Sequence, residues 1–343
     1  MLNVPIVDIV FPNYNKSEFI GECLDSLINQ TFKDWQCIVV DGFSDDGSWE
    51  ILQDFANQDE RFELYQLPRT GLYQSWNFGL SKVTSPYFCI LTSDDVWDKN
   101  WLQLATQSIT SNNNAICVAA RTYSLNTKSE LKGIAYYNRL GDKFFTTDGS
   151  TPQIRSGIID SIAHYFIGTI YTSVHSLLLK SEILSLSGMF AEDLGNAADL
   201  EWSMKIGLYG DIIYHPKIKA SWRTYKQQAS QLTGSRELGK VLQKIHSQIR
   251  NNIADKLGDF GDEFIAIAED YDRHIIPYYL ERPQLGNFIS QPLVELPSLL
   301  NVLCKRPNTF IMDCCFKMFG KRYFSEIGLR TARLTQRAYK SVL

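Results

Sequence analysis

Residues 6–91 alternate short apolar runs with segments of helical periodicity, and this alternation constrains the fold more than any other feature. Apolar, β-branched runs predict strands, and apolar residues three and four positions apart predict amphipathic helices. Strands that alternate with helices form a parallel sheet with helices on its faces. We therefore predict an α/β fold, with a Rossmann-like, mostly parallel central sheet flanked by helices. The predicted strands are 6–11, 37–40, 62–67 and 87–91, and a helix is predicted over residues 75–83.

The first two helices carry start signals. Asn15 and Glu18 have the spacing of a capping box, with Asn in place of Ser or Thr. Ser48 stands before Ile51, Leu52 and Phe55, where a hydroxyl caps the first turn of a helix. We therefore expect the side chains of Asn15 and Ser48 to bind backbone N–H groups of the helices that they precede.

A loop follows each of the four strands, and three of these four loops are rich in Asp, Asn, Gly or Tyr. Because loops after parallel strands meet at one edge of a sheet, we expect a polar cleft where open α/β sheets bind ligands. In the last loop Asp94 and Asp95 are adjacent, and paired carboxylates repel each other unless a cation or proton relieves them. A hard divalent cation that carries phosphate oxygens would do so, although a turn with a helix cap explains the pair alone nearly as well. The loops are 12–15, 41–47, 69–74 and 92–95.

Composition excludes several classes of protein. The net charge of −4 gives no general attraction to nucleic acid. The seven cysteines form no CxxC or His/Cys cluster, so we predict neither a zinc site nor a disulfide framework, but reduced thiols in the cytoplasm. The apolar run 4–11 contains Asp8, which predicts a strand rather than a signal peptide. The sequence also lacks the run of about 18 apolar residues that a membrane-spanning helix needs.

Beyond residue 116 the pattern loosens. Residues 123–147 show no clean period and predict a loop or short hairpin, and residues 176–179 predict a further strand. A short helix is predicted from Ser181. An amphipathic helix around Trp202, preceded by acidic residues, is predicted to end at Gly210.

A mainly helical extension is predicted over residues 231–343, because apolar residues between positions 238 and 257 keep helical spacing. Its tail, residues 304–343, holds nine basic residues against two acidic ones. A basic amphipathic segment can lie on an anionic membrane surface. A helix packed on its own domain, with a solvated basic face, explains the tail equally well. The sequence leaves both alternatives open.

Four motifs, in this order, resemble those of the family 2 glycosyltransferases. That family has the GT-A fold and uses nucleotide-sugar donors, and the resemblance is closest to its bacterial surface-polysaccharide branch. It covers residues 4–230, and the ordered set is specific although no single motif is. The motifs are Phe11-Pro-Asn-Tyr-Asn15, Val39-Val-Asp41-Gly-Phe-Ser-Asp-Asp-Gly47, Gly71-Leu-Tyr-Gln-Ser-Trp-Asn77-Phe-Gly79 and Leu91-Thr-Ser-Asp94-Asp95.

The resemblance implies a role for each matching residue near the donor. Tyr14 and Asp41 match positions that stack on and hydrogen-bond the nucleotide base, and Asp94 and Asp95 match the metal motif. Asp95 is the implied direct ligand of Mn²⁺ or Mg²⁺, and Asp94 the implied neighbour of the ribose or donor sugar. The predicted donor-binding residues are Pro12, Tyr14, Asp41, Asp94 and Asp95.

Further implied residues concern the reaction. Asp199 and Glu201 resemble a later acidic motif whose Asp serves as catalytic base, and from the sequence alone Glu201 and Asp193 compete with Asp199. His175 matches a histidine near the donor sugar or acceptor, but its apolar neighbours fit an interior histidine equally well. Trp202 is a core residue or, if its face is exposed, an acceptor platform. The predicted substrate contacts are Arg69, Tyr73, Asn77, His175, Glu201 and Trp202.

Three residues depart from the family pattern. Trp76 stands where many relatives have Arg, and Gln74 where this branch usually has Asp. Phe43 replaces a small residue of the glycine-rich turn. The first two leave the identity of the donor sugar open.

The implied activity is that of an inverting, metal-dependent glycosyltransferase that moves a sugar from a nucleotide sugar, a UDP-sugar by preference, to a hydroxyl of a saccharide or lipid-linked saccharide. A cation bridging the diphosphate eases its departure, and one base with in-line attack predicts inversion. Residues 1–115 would form the donor-binding half, 116–230 the acceptor and catalytic half of the same GT-A domain, and 231–343 the extension. We expect a cytoplasmic protein with peripheral membrane contact through its tail, and the oligomeric state stays open.

Two other classes compete with this interpretation. A dehydrogenase or nucleotidyltransferase is disfavoured, because neither GxGxxG nor GxxxxGK[ST] occurs in the sequence. A non-catalytic relative that binds nucleotide sugars as a scaffold stays open, although Asp94, Asp95 and Asp199 are all present.

Overall fold

The computed structural model describes residues 5–68, 71–146, 149–225, 228, 235–281 and 322–342. The chain divides into two units. The first consists of Met1–His164 and Gly168–Gln228, and the second of Tyr165–Ile167 and Ala229–Leu343. The first unit contains the sheet and the second is helical in its described residues.

A sheet with ten described strands forms the centre of the first unit: β1 (Val7–Asn13), β2 (Trp35–Asp41), β3 (Phe62–Gln66), β4 (Tyr87–Ile90), β5 (Val96–Trp97), β6 (Ala115–Leu125), β7 (Leu131–Ile134), β8 (Gln153–Arg155), β9 (Leu177–Lys180) and β10 (Asp211–Arg223). The order across the sheet is β3-β2-β1-β4-β9-β6-β10-β5, with β7 beside β6 and β8 beside β10. Strands β1 to β4 are mutually parallel. Both β4 and β6 are antiparallel to β9, so β6 runs in the same direction as β4, and β10 is parallel to β6. The predicted α/β fold with a mostly parallel sheet is confirmed.

The helices described in this part of the chain are α1 (Ser17–Ile28), α2 (Ser48–Gln58), α3 (Leu72–Ser81), α4 (Trp101–Thr110), α5 (Tyr136–Phe144), α6 (Gly157–Ile167), α7 (Ile183–Ser187) and α8 (Ala198–Ile206). Short 3₁₀ helices cover Val174–Ser176 and Glu192–Ala197. Helices α1 and α4 bury their apolar faces against one side of the sheet. On the other side α3 approaches β1 so closely that a Cβ at Gly79 would lie 2.5 Å from Val10 Cγ1. Strand β1 is therefore buried on both faces, as is typical of a central parallel strand.

The start of α1 differs from the capping-box prediction, which is wrong. Lys16, not Asn15, precedes the first turn, and no side chain of its own caps the helix. The Asn15 amide instead pairs with the backbone N–H (3.1 Å) and the carboxylate (2.8 Å) of Asp45. Asp46 Oδ2 accepts the Ser17 N–H at 2.8 Å. The loop after β2 therefore caps α1, an arrangement between distant residues that a local motif does not encode.

Other local predictions also need correction. Ser48 is the first residue of α2 rather than its cap, and its hydroxyl donates to Asp46 Oδ1 at 2.6 Å. Residues 123–147 contain the predicted hairpin, β6 with β7, and also the unpredicted helix α5. Helix α6 and the long strand β10 were not predicted either. Helix α8 ends at Ile206 rather than at Gly210, because residues 207–210 form a turn that leads into β10.

The second unit contains the described helices α9 (Ser235–Lys256), α10 (Gly261–Glu281) and α11 (Arg322–Val342), with a 3₁₀ turn at Gly258–Phe260 between the first two. Buried Ile245, Ile249 and Ile253 lie one helical turn apart on α9 and form its apolar face. This confirms a helical C-terminal region. Residues 304–321 of the predicted basic tail lie outside the described part of the chain. Within the described ranges, no helix has the length and apolarity needed to span a bilayer.

Candidate active site

Asp41 connects the ends of three neighbouring strands by hydrogen bonds at the carboxyl edge of the sheet. It ends β2 and is fully buried. Its carboxylate accepts hydrogen bonds from Asn13 Nδ2 on β1 (2.8 Å) and Gln66 Nε2 on β3 (3.3 Å). The Ser44 hydroxyl (2.6 Å) and N–H (2.9 Å) add two more. A buried carboxylate requires such donors, and together they rigidify the loop that follows β2.

Two aromatic side chains lie exposed beside Asp41. Tyr14 is 38% exposed and Phe43 54%. The Tyr14 ring packs against Gly42, where a Cβ would lie only 2.9 Å from Tyr14 Cδ2. Phe43 has a φ of 58°, a left-handed conformation that costs a non-glycine residue about 1–2 kcal/mol. Predicted Pro12 is buried within β1. Flat apolar rings next to fixed polar groups can stack on a planar ligand such as a nucleobase.

Asp95 is held on both carboxylate oxygens by the protein. It is 2% exposed. Oδ1 accepts the Arg223 N–H at 2.9 Å, and Oδ2 accepts the Thr92 hydroxyl. His175 Nδ1 lies 3.0 Å from Oδ2, although neither ring nitrogen of this buried histidine is aligned for a hydrogen bond. His175 therefore lies behind Asp95, inside the protein, rather than at the surface of the cleft.

Asp94 faces the cleft and has two polar neighbours. The Tyr225 hydroxyl donates to Asp94 Oδ2 at 2.5 Å, and Lys16 Nζ lies 3.8 Å from the same oxygen. The Asp94 side chain retains 11% exposure. Burial, and then the charge of Asp95, raise the pKa of Asp94, while Lys16 and Tyr225 act in the opposite direction. A positive charge at this position would relieve the repulsion between the two acids.

Arg223, at the end of β10, connects the acid pair to the rest of the site. It is fully buried. Its side chain donates to Asp94 O (2.8 Å), Asn126 O (2.9 Å), Ser129 Oγ (3.1 Å) and Glu22 Oε2 (2.6 Å). With this many charge-assisted bonds, the guanidinium fixes the position of the loop that carries the acids.

Arg223, Tyr225 and Lys16 were not predicted as members of the site. Two of them lie in Trp222-Arg-Thr-Tyr225, at the end of the strand β10, in which buried residues alternate with more exposed ones. Recognising β10 in the sequence would have placed Arg223, its last residue, at the same edge of the sheet as the acid pair. Lys16 directly follows the first motif and carries no signal of its own.

Asp199 lies in the first turn of α8 and is partly exposed. Its N–H donates to the Tyr73 hydroxyl at 3.3 Å, and its Oδ1 accepts the Leu200 N–H at 2.8 Å. Desolvation raises the pKa of Asp199 to about 6, and the hydrogen bonds from Leu200 and Tyr73 oppose part of that shift. Tyr73 lies in the first turn of α3, the helix that follows β3, and therefore at the carboxyl edge of the sheet. Its contact with Asp199 brings that acid to the same edge as Asp41.

Glu201 has a different environment from Asp199. It is buried, and it forms an ion pair with Lys205 at 2.6 Å. Burial raises its pKa, and Lys205 opposes the shift. Asp193 is exposed in a 3₁₀ turn ahead of α8. Of the three acids, Asp199 combines partial exposure with a pKa near neutrality, which suits proton transfer.

Four aromatic rings form the support beneath Asp199. Tyr73 stacks on Phe190 (5.0 Å between centroids) and meets Trp76 edge-on (5.1 Å). Trp202 packs against Phe190 at 4.6 Å, is fully buried, and donates its indole N–H to Gly188 O. The acceptor-platform alternative for Trp202 is therefore wrong, because neither face of its ring reaches the surface. Trp76 is buried in this core, where it meets Tyr73 and Phe190 edge-on.

Asn77 also acts within the protein. Its amide donates to Phe190 O (2.9 Å) and Glu192 Oε1 (3.0 Å) and accepts the Phe190 N–H (3.1 Å). These bonds attach α3 to the segment that leads into α8, and a substrate contact of Asn77 stays a prediction. Arg69 lies outside the described residues.

A divalent cation fits this site through a single protein carboxylate. Among the described residues, no group of three or more His, Cys, Asp or Glu side chains is arranged to hold a metal ion. Mg²⁺ and Mn²⁺ do not require one, since they take one or two carboxylates with phosphate oxygens and water. The exposed edge of Asp94, next to a second buried acid, provides that kind of anchor.

The sheet, the strand-end acid pair and the acid at the start of α8 define a GT-A type glycosyltransferase fold. Residues 8–166 match Glycosyl transferase family 2. This segment of the chain, from β1 to α6, is therefore similar to that family.

Relatives agree with this family. Glycosyltransferase GlyA of Streptococcus pneumoniae is 30% identical over 139 residues, which is 40% of this chain and 19% of that protein. The putative teichuronic acid biosynthesis glycosyltransferase TuaG of Bacillus subtilis is 33% identical over 100 residues, 29% of this chain and 40% of TuaG. The chain thus matches between about a fifth and two fifths of the length of these two relatives.

Solved structures share the fold. S. aureus TarS (residues 1–349) in complex with UDP-GlcNAc superposes with a TM-score of 0.60 at 17% identity, covering 98% of this chain and 91% of that one. At this identity the likeness concerns the fold.

Proposed function

We propose that this chain is an inverting, metal-dependent glycosyltransferase. It moves a sugar from a UDP-sugar to a hydroxyl of a saccharide or lipid-linked saccharide, in the assembly of a bacterial surface polysaccharide. The observation that carries the proposal is the contrast between two acids at one sheet edge. Burial raises the pKa of both acids, but Asp94 is paired with Asp95 and lies 3.8 Å from the Lys16 ammonium, whereas Asp199 lies against Tyr73 and has a pKa of about 6. Environments that separate carboxylates in this way assign them different tasks.

Asp199 is proposed as the general base. An acceptor hydroxyl loses its proton as it attacks the anomeric carbon, and a carboxylate within about 3 Å accepts it. The ion pair with Lys205 leaves Glu201 a poorer base, which favours Asp199. Attack assisted by one base, opposite the departing diphosphate, inverts the anomeric carbon, whereas retention needs a nucleophile or a front-face route.

Asp94 and Asp95 are proposed to anchor the donor's diphosphate. A Mn²⁺ or Mg²⁺ ion bound there would stabilise negative charge on the leaving diphosphate. The sequence implied Asp95 as the direct ligand, but the geometry favours Asp94, since protein donors already engage both Asp95 oxygens. Asp95 then orients the loop. Tyr14 and Phe43, with Asp41 beneath them, are proposed to receive the base.

Peripheral membrane contact through the tail is a further part of the proposal. In α11 the side chains of Arg330, Arg333 and Arg337 recur on one helical face and line a cavity of about 330 Å³ with Leu329 and Leu334. A basic face with an exposed apolar residue, Leu334, suits an anionic lipid surface.

A nucleotide-release assay with UDP-, GDP- and dTDP-sugars and Mn²⁺ tests the proposal. We expect release from a UDP-sugar that depends on acceptor and metal and is lost in Asp199→Asn, with nucleotide binding retained. Binding of UDP by the wild type without release from any donor would instead support the non-catalytic scaffold.

A further inference from the structure

Lys16 occupies the place of a cation beside the acid pair. It immediately precedes α1, and its Nζ lies 3.8 Å from Asp94 Oδ2. The ammonium donates to the Tyr225 hydroxyl at 2.6 Å, and that hydroxyl donates to the same Asp94 oxygen. The chain Lys16–Tyr225–Asp94 thus ends on the most accessible carboxylate of the pair.

The two cations near the acid pair differ in their freedom to move. Lys16 lies beside Asp94, and Arg223 forms an ion pair with Glu22. Arg223 is fully buried and bonded at several atoms, so it cannot move without breaking the site. The Lys16 side chain is 25% exposed, and an ammonium on a flexible four-carbon stem can change partner.

We propose that Lys16 is the resident cation of the acid pair, that a divalent cation competes with it for Asp94, and that the displaced ammonium binds the phosphate groups of a nucleoside diphosphate. Two cations at one carboxylate repel each other, so binding of the metal drives Lys16 toward the nearest anion. The phosphate part rests on the proposed function, whereas the competition for Asp94 does not.

Titration with Mn²⁺ alone, followed by the electron paramagnetic resonance of the free ion, tests the competition. We expect Lys16→Met to bind Mn²⁺ about fivefold more tightly than the wild type, since an opposing charge a few ångströms away is removed. Lys16→Arg, which keeps the charge, and Lys33→Met, which alters an exposed lysine bonded to Ile28 O, should match the wild type. Equal Mn²⁺ affinity in Lys16→Met and wild type, or no detectable binding in either, overturns the competition.

Titration with UDP at saturating Mn²⁺, where Lys16 is displaced from Asp94, tests the phosphate part. We expect Lys16→Met to bind UDP about tenfold more weakly, because a charge-assisted phosphate contact is lost, and Lys33→Met to be unaffected. UDP affinity equal to wild type rejects phosphate binding by Lys16, even where Mn²⁺ binding has tightened. If the wild type binds Mn²⁺ but no nucleotide, both the proposed function and phosphate binding by Lys16 are refuted. The Mn²⁺ titration then still decides whether Lys16 competes for Asp94. Circular dichroism melts of each variant confirm that they are folded.

Discussion

The Tyr73 hydroxyl accepts the backbone N–H of Asp199 at 3.3 Å, and this single contact joins the first turn of α3 to the first turn of α8. Tyr73 is buried, and its ring is fixed by Phe190 and Trp76. The two residues are 126 positions apart in sequence, so the aromatic core of one motif sets the position and proton affinity of an acid in another.

Asp199→Asn should abolish transfer while raising stability at alkaline pH. The Asp199 pKa rises from 3.8 in the unfolded chain to about 6 in the folded protein. A raised carboxyl pKa means that the folded state binds the proton more tightly, so its stabilisation is present below pH 3.8 and lost as pH rises through 6. The wild type loses about 1–3 kcal/mol over this window, allowing for partial exposure, and the uncharged Asn variant does not.

Urea denaturation at pH 5 and pH 8 measures this difference, and the nucleotide-release rate measured against pH tests the base. The wild-type rate should rise through about pH 6 as Asp199 ionises. Transfer by the Asn variant at a rate near the wild type would place the base elsewhere, with Glu201 the first candidate.

Tyr73→Phe should shift the pH profile without unfolding the core. The variant keeps the ring that packs on Phe190 but loses the hydroxyl, whose interaction lowers the Asp199 pKa. The midpoint of the pH–rate profile should therefore move upward, by about half a pH unit. Tyr65→Phe, which removes a hydroxyl bonded to Glu63 away from this cluster, serves as the control. An unchanged midpoint in Tyr73→Phe would show that the hydroxyl does not tune Asp199.

Much of the sheet was predictable because β1 to β4 and α1 to α3 are built from local periodicity. The strand-end acids were found for the same reason, since Asp41, Asp94 and Asp95 interrupt apolar runs. Strand β10 was missed because Asp211–Arg223 mixes polar and aromatic residues, and its pairing with β6 lies about a hundred positions away in sequence.

The polar partners of the acids could not be predicted for a related reason. Arg223 reaches Glu22 across 201 positions, and Tyr225 reaches Asp94 across 131. Likewise, Asp46 caps α1 from another loop, while Asn15, which has the spacing of a cap, does not. Such contacts can be predicted only when the strand order is known, and the sequence did not specify where β10 lies in that order.

Arg223→Met should destabilise the protein strongly, by about 3 kcal/mol, because it leaves the Asp94 and Asn126 carbonyls and the Glu22 carboxylate without their charged donor. Urea denaturation reports the free energy of unfolding. Arg61→Met gives the matched surface control, since Arg61 pairs with Asp59 and covers Trp35 but serves no buried carboxylate pair. We expect Arg61→Met to lose about 1 kcal/mol or less. A loss of similar size in both variants would contradict a structural role for Arg223 at the acids.

Gly79→Ala should destabilise the protein even though alanine favours helix. A Cβ at position 79 would lie 2.5 Å from Val10 Cγ1, so α3 must move away from β1 or Val10 must shift, at about 1–3 kcal/mol. Gly21→Ala is the control, because that glycine lies within α1 with open space around its Cβ position, and there alanine should stabilise by about 0.5–1 kcal/mol. Urea denaturation of both variants gives the two signs. The double variant Gly79→Ala, Val10→Ala should recover part of the loss if the clash is its cause, and purely additive losses would exclude that clash.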